Sequence, residues 1–574
     1  MRDLRAKIIT TITNAVAGLS LTGRVMLGSF IVLFIIATIW MLSAISLRFV
    51  VTVPERGGTI TLGDVGNPQL INPVLAVSNA DKDMATLVYS GLTRWDPDQH
   101  KLIPDIANHW TISSDGTVYT FTLKKGLTFQ DGTPLTADDV VFTIHAIQNP
   151  QLQSPLAANW TGVTVKKLNK YTVQFTLPTP YAPFIENTTV GILPAHLWQG
   201  LSVQGFTNSP LNTNPIGSGP YAISNINRTS GVITSYMLTP FTHFALGNPY
   251  ISQVIVHFYQ DTASALTAAA NHQVNELDDV PAAQASQLAH DGFSIDRFPL
   301  ARIFGVFFNQ TQNVALADPI VRQALADATN RSAIVQAVFG DTASPLNGPV
   351  PSAFLNIPTP PITAASTSLA TTLLDKDGWI LNTNGIREKK RVTGTTTLSF
   401  AISTDDIPEL VAVANLLAEQ WRAIGADVTV KVFQSGFEDQ VIQPRNYDAL
   451  LFGQNVGRDL DLYPFWASSE IANPGLNIAL YKNTTADILL NDLRATTSPE
   501  IRRQAYTVFA NMLSQDIPAI FLYAPDLVDA RQSIAGATIG PITDENERLN
   551  DIYRWYTKTQ DVWKIFAPDA TTTS

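Results

Sequence analysis

The 574-residue chain contains no cysteine. That excludes disulfides, thiolate metal sites, a cysteine nucleophile and lipid attachment through an N-terminal cysteine. Charge is also sparse, at 15% of residues with a net of -11. No lysine- or arginine-rich run reaches the length that a phosphate backbone requires, so nucleic acid is not an expected partner. All eight histidines fall between His100 and His290, none stands in H-E-x-x-H spacing, and there is no G-x-S-x-G. Zinc-hydrolase and serine-hydrolase chemistry therefore lack their parts. Isolated histidines such as His257 and His272 are ordinary residues far more often than ligands, so no metal or cofactor is expected.

One long hydrophobic run is present. Residues 25–47, "VMLGSFIVLFIIATIWMLSAISL", carry no charge over 23 positions. At about 1.5 Å per residue the run can cross a hydrocarbon core of roughly 30 Å. Arg2, Arg5, Lys7 and Arg24 precede it with only Asp3 against them. The positive-inside rule then keeps residues 1–24 in the cytoplasm and sends the rest across as a single-pass membrane protein. A cleaved secretory signal is the alternative, but its apolar part is shorter and ends at a small-residue cleavage site, whereas here "RFVVTVPERGG" follows.

The whole chain is 45% hydrophobic and too long for one core, which points to two or three domains. Alternating segments such as "TVYTFTL" (117–123) and "YTVQFTL" (171–177) predict half-buried strands. In "PELVAVANLLAEQWRAIGADVTVKVF" (408–433) a helix-spaced apolar pattern stops at Gly425 and gives way to alternation of Val428, Val430 and Val432. This is a helix feeding a strand, and the fold class is α/β. "IPTPPITAASTS" (357–368) predicts a surface loop and "APDATTTS" (567–574) a disordered tail.

In "TPLTADDVVF", Thr136 predicts a helix N-cap, with Asp139 reaching back to it in a capping box. "GSGPY" (217–221) sets Gly217, Ser218 and Gly219 either in a tight connection or along a cleft. The longer stretch "GLTRWDPDQHKLIPDIANHWTISSDGTVYTFTLKKGLTFQDGTPLTADDVVFTIHAI" (91–147) resembles the signature region of family 5 extracellular solute-binding proteins, the oligopeptide, dipeptide and nickel binders of ABC importers. "NPIGSGPY", "DPIVRQALADATNRSAIVQAVF" and "LNGPVP" follow in the family's order, so the resemblance covers about 57–558.

The resemblance implies a two-lobed fold of the type II periplasmic-binding-protein kind. Lobe I would comprise 57–95, 215–300 and 525–558, with 96–214 as an inserted subdomain. Lobe II would comprise 301–524, and 559–574 a flexible tail. It also implies a monomer that binds a peptide without chemistry and delivers it to ABC permease subunits. Binders of nickel chelate, haem or sugar share the fold, and a tethered hydrolase or adhesion module is the alternative from another class.

The candidate site is "GQNVGRDLDLYPFW" (453–466). It follows "DALLF" (448–452), an almost wholly apolar run that predicts a strand buried on both faces. In open α/β sheets, ligands sit at that end of such strands. If the loop is extended, Asp459 and Asp461 point the same way, and a carboxylate facing a cleft suits an ammonium group. Tyr463, Phe465 and Trp466 offer side-chain pockets or cation-π faces. The resemblance implies an aspartate in this region that holds a peptide's amino terminus, and leaves Asp459 and Asp461 both eligible. Gln454, Asn455, Arg458 and Tyr523 complete the expected ligand contacts. The alternative is structural, with Arg458 paired to Asp461 and the aromatics in the core.

Overall fold

The computed structural model describes residues 10, 13–355, 362, 364–392, 394–496 and 498–566. The chain divides into two compact units, one comprising 1–56 with 556–574 and the other 57–555. In the first, a helix runs from Leu21 to Phe49, started by Ser20, whose side chain accepts the Gly23 amide at 3.2 Å. The stretch Leu21–Met41 is unburied and long and apolar enough to cross a membrane. The strand Val50–Pro54 follows and pairs antiparallel with Thr559–Trp563, Val50 opposite Trp563 and Pro54 opposite Thr559. Thr52 donates across this ribbon to Asp561 at 2.7 Å. The expectation of a flexible tail from 559 is therefore corrected: a partner strand 509 residues away organises its first five residues. The tail 567–574, and 357–361 with 363 of the expected loop, lie outside the described residues.

The larger unit is built on a 12-stranded mixed sheet. Its long strand Ala519–Arg531 pairs with Arg302–Phe308 through its first half and with Ser294–Pro299 through its second. One hydrophobic core gathers Ile60, Leu87, Phe121, Phe184 and Tyr236 with Trp555. Two others lie on opposite faces of the strands at 302–308 and 449–455, because side chains alternate along a strand. Ala449 and Leu451 enter one of these cores and Leu450 the other, which explains the unbroken apolar run. The helix Pro408–Arg422 packs its buried face of Val413, Leu417 and Trp421 against that sheet. It ends where Gly425 takes φ +92°, a conformation that favours glycine.

A separate four-stranded antiparallel sheet, Ala107–Ile112, Val118–Leu123, Thr172–Thr176 and Thr164–Asn169 in spatial order, carries the helix Ala137–Gln148. That helix starts with the predicted capping box: the Thr136 hydroxyl accepts the Asp138 amide at 3.3 Å, and Asp139 accepts the Thr136 amide at 2.8 Å. Arg322 is buried, and its partners are the carbonyls of Ile517, Leu316, Ala317 and Asp516 rather than a carboxylate.

Candidate functional site

The strand Ala449–Asn455 ends at the acidic loop, and the loop borders a cavity of about 430 Å³. The other walls come from residues 73–95, 156–191 and 543–550. The loop is not extended. It turns at Leu460, which takes φ +52°, so Asp459 and Asp461 part company.

Asp461 receives a two-pronged contact from Arg494, with Nη2 at 2.7 Å and Nε at 2.9 Å, and a hydroxyl from Tyr181 at 3.2 Å. The Arg494 guanidinium in turn lies 4.0 Å from the Tyr463 ring centroid, so that ring is occupied by the protein's own cation. Asp459 receives Nη1 of Arg502 on Oδ1 at 3.1 Å, while its Oδ2 is buried without a hydrogen-bond partner. Burial raises the Asp459 carboxyl above its ordinary range, and the Arg502 charge only partly offsets this.

Arg458 does not pair with Asp461. Its side chain, 8% exposed, donates to Glu186 at 2.6 Å and to Glu547, and its guanidinium lies 3.8 Å from the Trp95 ring centroid. Burial opposes its charge, but Glu547 and Glu186 together hold it above the usual arginine value. Burial pushes the Glu186 carboxyl up to about 7 despite Arg458. Four further cavity-lining residues carry a polar atom buried without a partner: the Tyr89 hydroxyl, Trp95 Nε1, Arg458 Nε and Thr543 Oγ1.

Of the residues expected to touch ligand, Arg458, Asp459 and Asp461 line the cavity. The others do not line it. Trp466 is fully buried among Phe307, Phe509 and Phe521, because the turn after Asp461 rotates it into the core. Tyr523 is buried and stacked on Phe304 at 4.9 Å. Gln454 is buried on its strand, and Asn455 caps the loop by accepting the Gly457 amide at 3.2 Å. Gly217, Ser218 and Gly219 form the tight connection: Gly219 donates to the Val88 carbonyl at 2.7 Å, and a Cβ on Gly217 would fall 2.1 Å from that oxygen. They support the helix Asn79–Val88 and the following Tyr89, from which Lys82, Ala85, Thr86 and Tyr89 line the cavity.

Tyr89, Tyr181, Glu186, Arg494, Arg502 and Glu547 stand at or directly behind the cavity wall without having been expected from the sequence. Trp95, buried against Arg458, was likewise not expected there.

Residues 101–473 match the family described as bacterial extracellular solute-binding proteins, family 5 Middle, and the chain belongs to that family. It is 27% identical over 523 residues to the oligopeptide-binding protein AppA of Bacillus subtilis, covering 88% of this chain and 92% of that protein. The structure of AppA in complex with a nonapeptide superposes with a TM-score of 0.66 at 26% identity, covering 88% of this chain and 99% of AppA. NikZ of Campylobacter jejuni, in complex with Ni(L-His), superposes with a TM-score of 0.69 at 27% identity, covering 87% and 99%. The fold is thus the mixed α/β type II periplasmic-binding-protein fold. The protein is an extracytoplasmic solute binder of an ABC transporter and performs no chemistry on what it binds.

Proposed function

We propose that the solute is a peptide, held by its amino end at Asp459, and that the run 25–47 anchors the protein in the membrane beside the permease that receives the peptide. The observation that carries this reading is that the cavity-lining Asp459 keeps a buried Oδ2 without a partner, as the lining residues Tyr89 and Trp95 keep buried neutral donors without partners. A buried polar group without a partner costs about 1–3 kcal/mol, which a complementary ligand recovers. A peptide supplies an ammonium for the carboxylate oxygen and backbone carbonyls for the donors. The named relatives that bind oligopeptides support the same reading.

Residues of the cavity wall belong to all three expected pieces: 57–95 with 525–558, the insert 96–214, and 301–524. On this reading, lobes with those boundaries close about a hinge around the ligand, as a monomer.

Native mass spectrometry of the full-length protein in detergent tests the assignment. The expected result is a co-purified mass that fragments as a peptide. A nickel chelate, haem or sugar in its place overturns the peptide assignment while leaving the fold intact.

A further inference from the structure

We infer that the cleft reads only the amino end of its ligand and leaves the carboxyl end unread, so that its substrates are peptides accepted whether that end is charged, blocked or outside the cavity. The inference rests on the peptide reading above and on the way charge is distributed around the cavity.

Among the described residues, each cation lining the cavity already faces a carboxylate. Arg94 lies 2.8 Å from Asp105, and Lys82 lies 3.5 Å from Asp544. Arg458 serves both Glu186 and Glu547. Asp459 and Asp461 are matched from behind by Arg502 and Arg494, which do not line the cavity. With every carboxyl ionised, Asp105, Glu186, Asp459, Asp461, Asp544 and Glu547 exceed the cations Lys82, Arg94, Arg458, Arg494 and Arg502 by one, a count that holds in full only above the raised range of Glu186, about 7.

One ligand ammonium balances that surplus. A ligand carboxylate inside the same cavity would restore it; the one unpartnered charged donor there, Arg458 Nε, belongs to a guanidinium that already faces two carboxylates, and the other cations are each paired to an acid that their capture would strip. The unpartnered donors Tyr89 and Trp95 are neutral and suit amide carbonyls along the chain, whatever the charge at its end. Discrimination against a second negative charge thus comes from acids already in place rather than from a clash.

The test is a competition followed by native mass spectrometry on the full-length protein. Mixed-sequence pentapeptides with free carboxylates compete with the same pool as C-terminal amides. The expected result is that the amides occupy the protein at least as well as the acids, within about 3-fold or in the amides' favour. A preference for the acids of about 10-fold or more, the size of a charge-assisted hydrogen bond, overturns the inference. Lys82 has the loosest of these pairs, so an acid preference that disappears in Lys82→Ala would place the carboxylate there and overturn it equally. If neither pool binds while another solute does, the peptide reading itself fails and this inference falls with it.

Discussion

Arg458 lies with its guanidinium carbon 3.8 Å from the centroid of the Trp95 ring. Glu186 and Glu547 hold the same group at its edges, so one side chain joins the acidic loop to three segments distant in sequence. Removing one member of a buried ionic group typically costs about 3–5 kcal/mol, because the remaining charges are left without partners. Arg458→Met should therefore lower the urea midpoint substantially. The triple variant Arg458→Met, Glu186→Gln, Glu547→Gln should recover most of the loss. Equal midpoints for wild type and the single variant would show that the cluster contributes nothing.

Trp466 separates core from pocket. It is fully buried among aromatic rings and outside the cavity wall. Trp466→Ala should destabilise the fold by about 3–5 kcal/mol. The milder Trp466→Phe should fold and keep its peptide affinity within about 3-fold, as measured by calorimetry. A tenfold loss of affinity in folded Trp466→Phe would return this residue to the binding surface.

Several buried carboxyls titrate above their ordinary range. Burial raises Glu186 and Glu276 to about 7 and Asp529 to about 6. Glu276 faces Arg548 at 2.8 Å, which also serves Asp83 at 2.6 Å and Asp278 at 3.1 Å. With the folded pKa above the unfolded one, the native state holds more protons between pH 4.5 and 7, so stability from these groups is present at acid pH and lost as pH rises through about 7. Urea midpoints should fall from pH 5 to pH 8, and Glu276→Gln should make the fall shallower. A midpoint that rises across this range contradicts the assignment.

The anchor is tested directly. Full-length protein should remain with membranes after carbonate washing and retain its N-terminus, since residues 25–47 carry no charge and suit a hydrocarbon core. Mass-spectrometric identification of a mature N-terminus beyond residue 47 would mean that the run is a cleaved signal.

What was legible in the sequence was what local periodicity encodes. The capping box at Thr136, the helix stopped at Gly425 and the two-faced strand before the acidic loop each depend on neighbours within a few residues. The loop's place at the cavity wall followed from the strand. Its partners did not, because Arg494 and Arg502 are 33 and 43 residues away and Glu186 is 272 away. Aromatic residues suit core and pocket alike, so composition could not separate Trp466 and Tyr523, which pack inside, from Trp95, which lines the cavity. The strand Thr559–Trp563 escaped for the same reason as the ion pairs, its partner being the far end of the chain.

Whether Asp459 takes the ligand's ammonium is decided by calorimetry. Wild type, Asp459→Asn and Asp461→Asn are titrated with a pentapeptide that the wild type binds, then with the same peptide N-acetylated. Removing one partner of a buried, charge-assisted hydrogen bond typically costs about 2–5 kcal/mol, or roughly 30-fold to several thousand-fold in affinity. A loss in that range is expected for Asp459→Asn with the free amine, a comparable loss for wild type with the acetylated peptide, and a smaller effect for Asp461→Asn, whose carboxylate is already held by Arg494. Unchanged affinity in Asp459→Asn, or equal binding of the acetylated peptide by wild type, contradicts this role of Asp459.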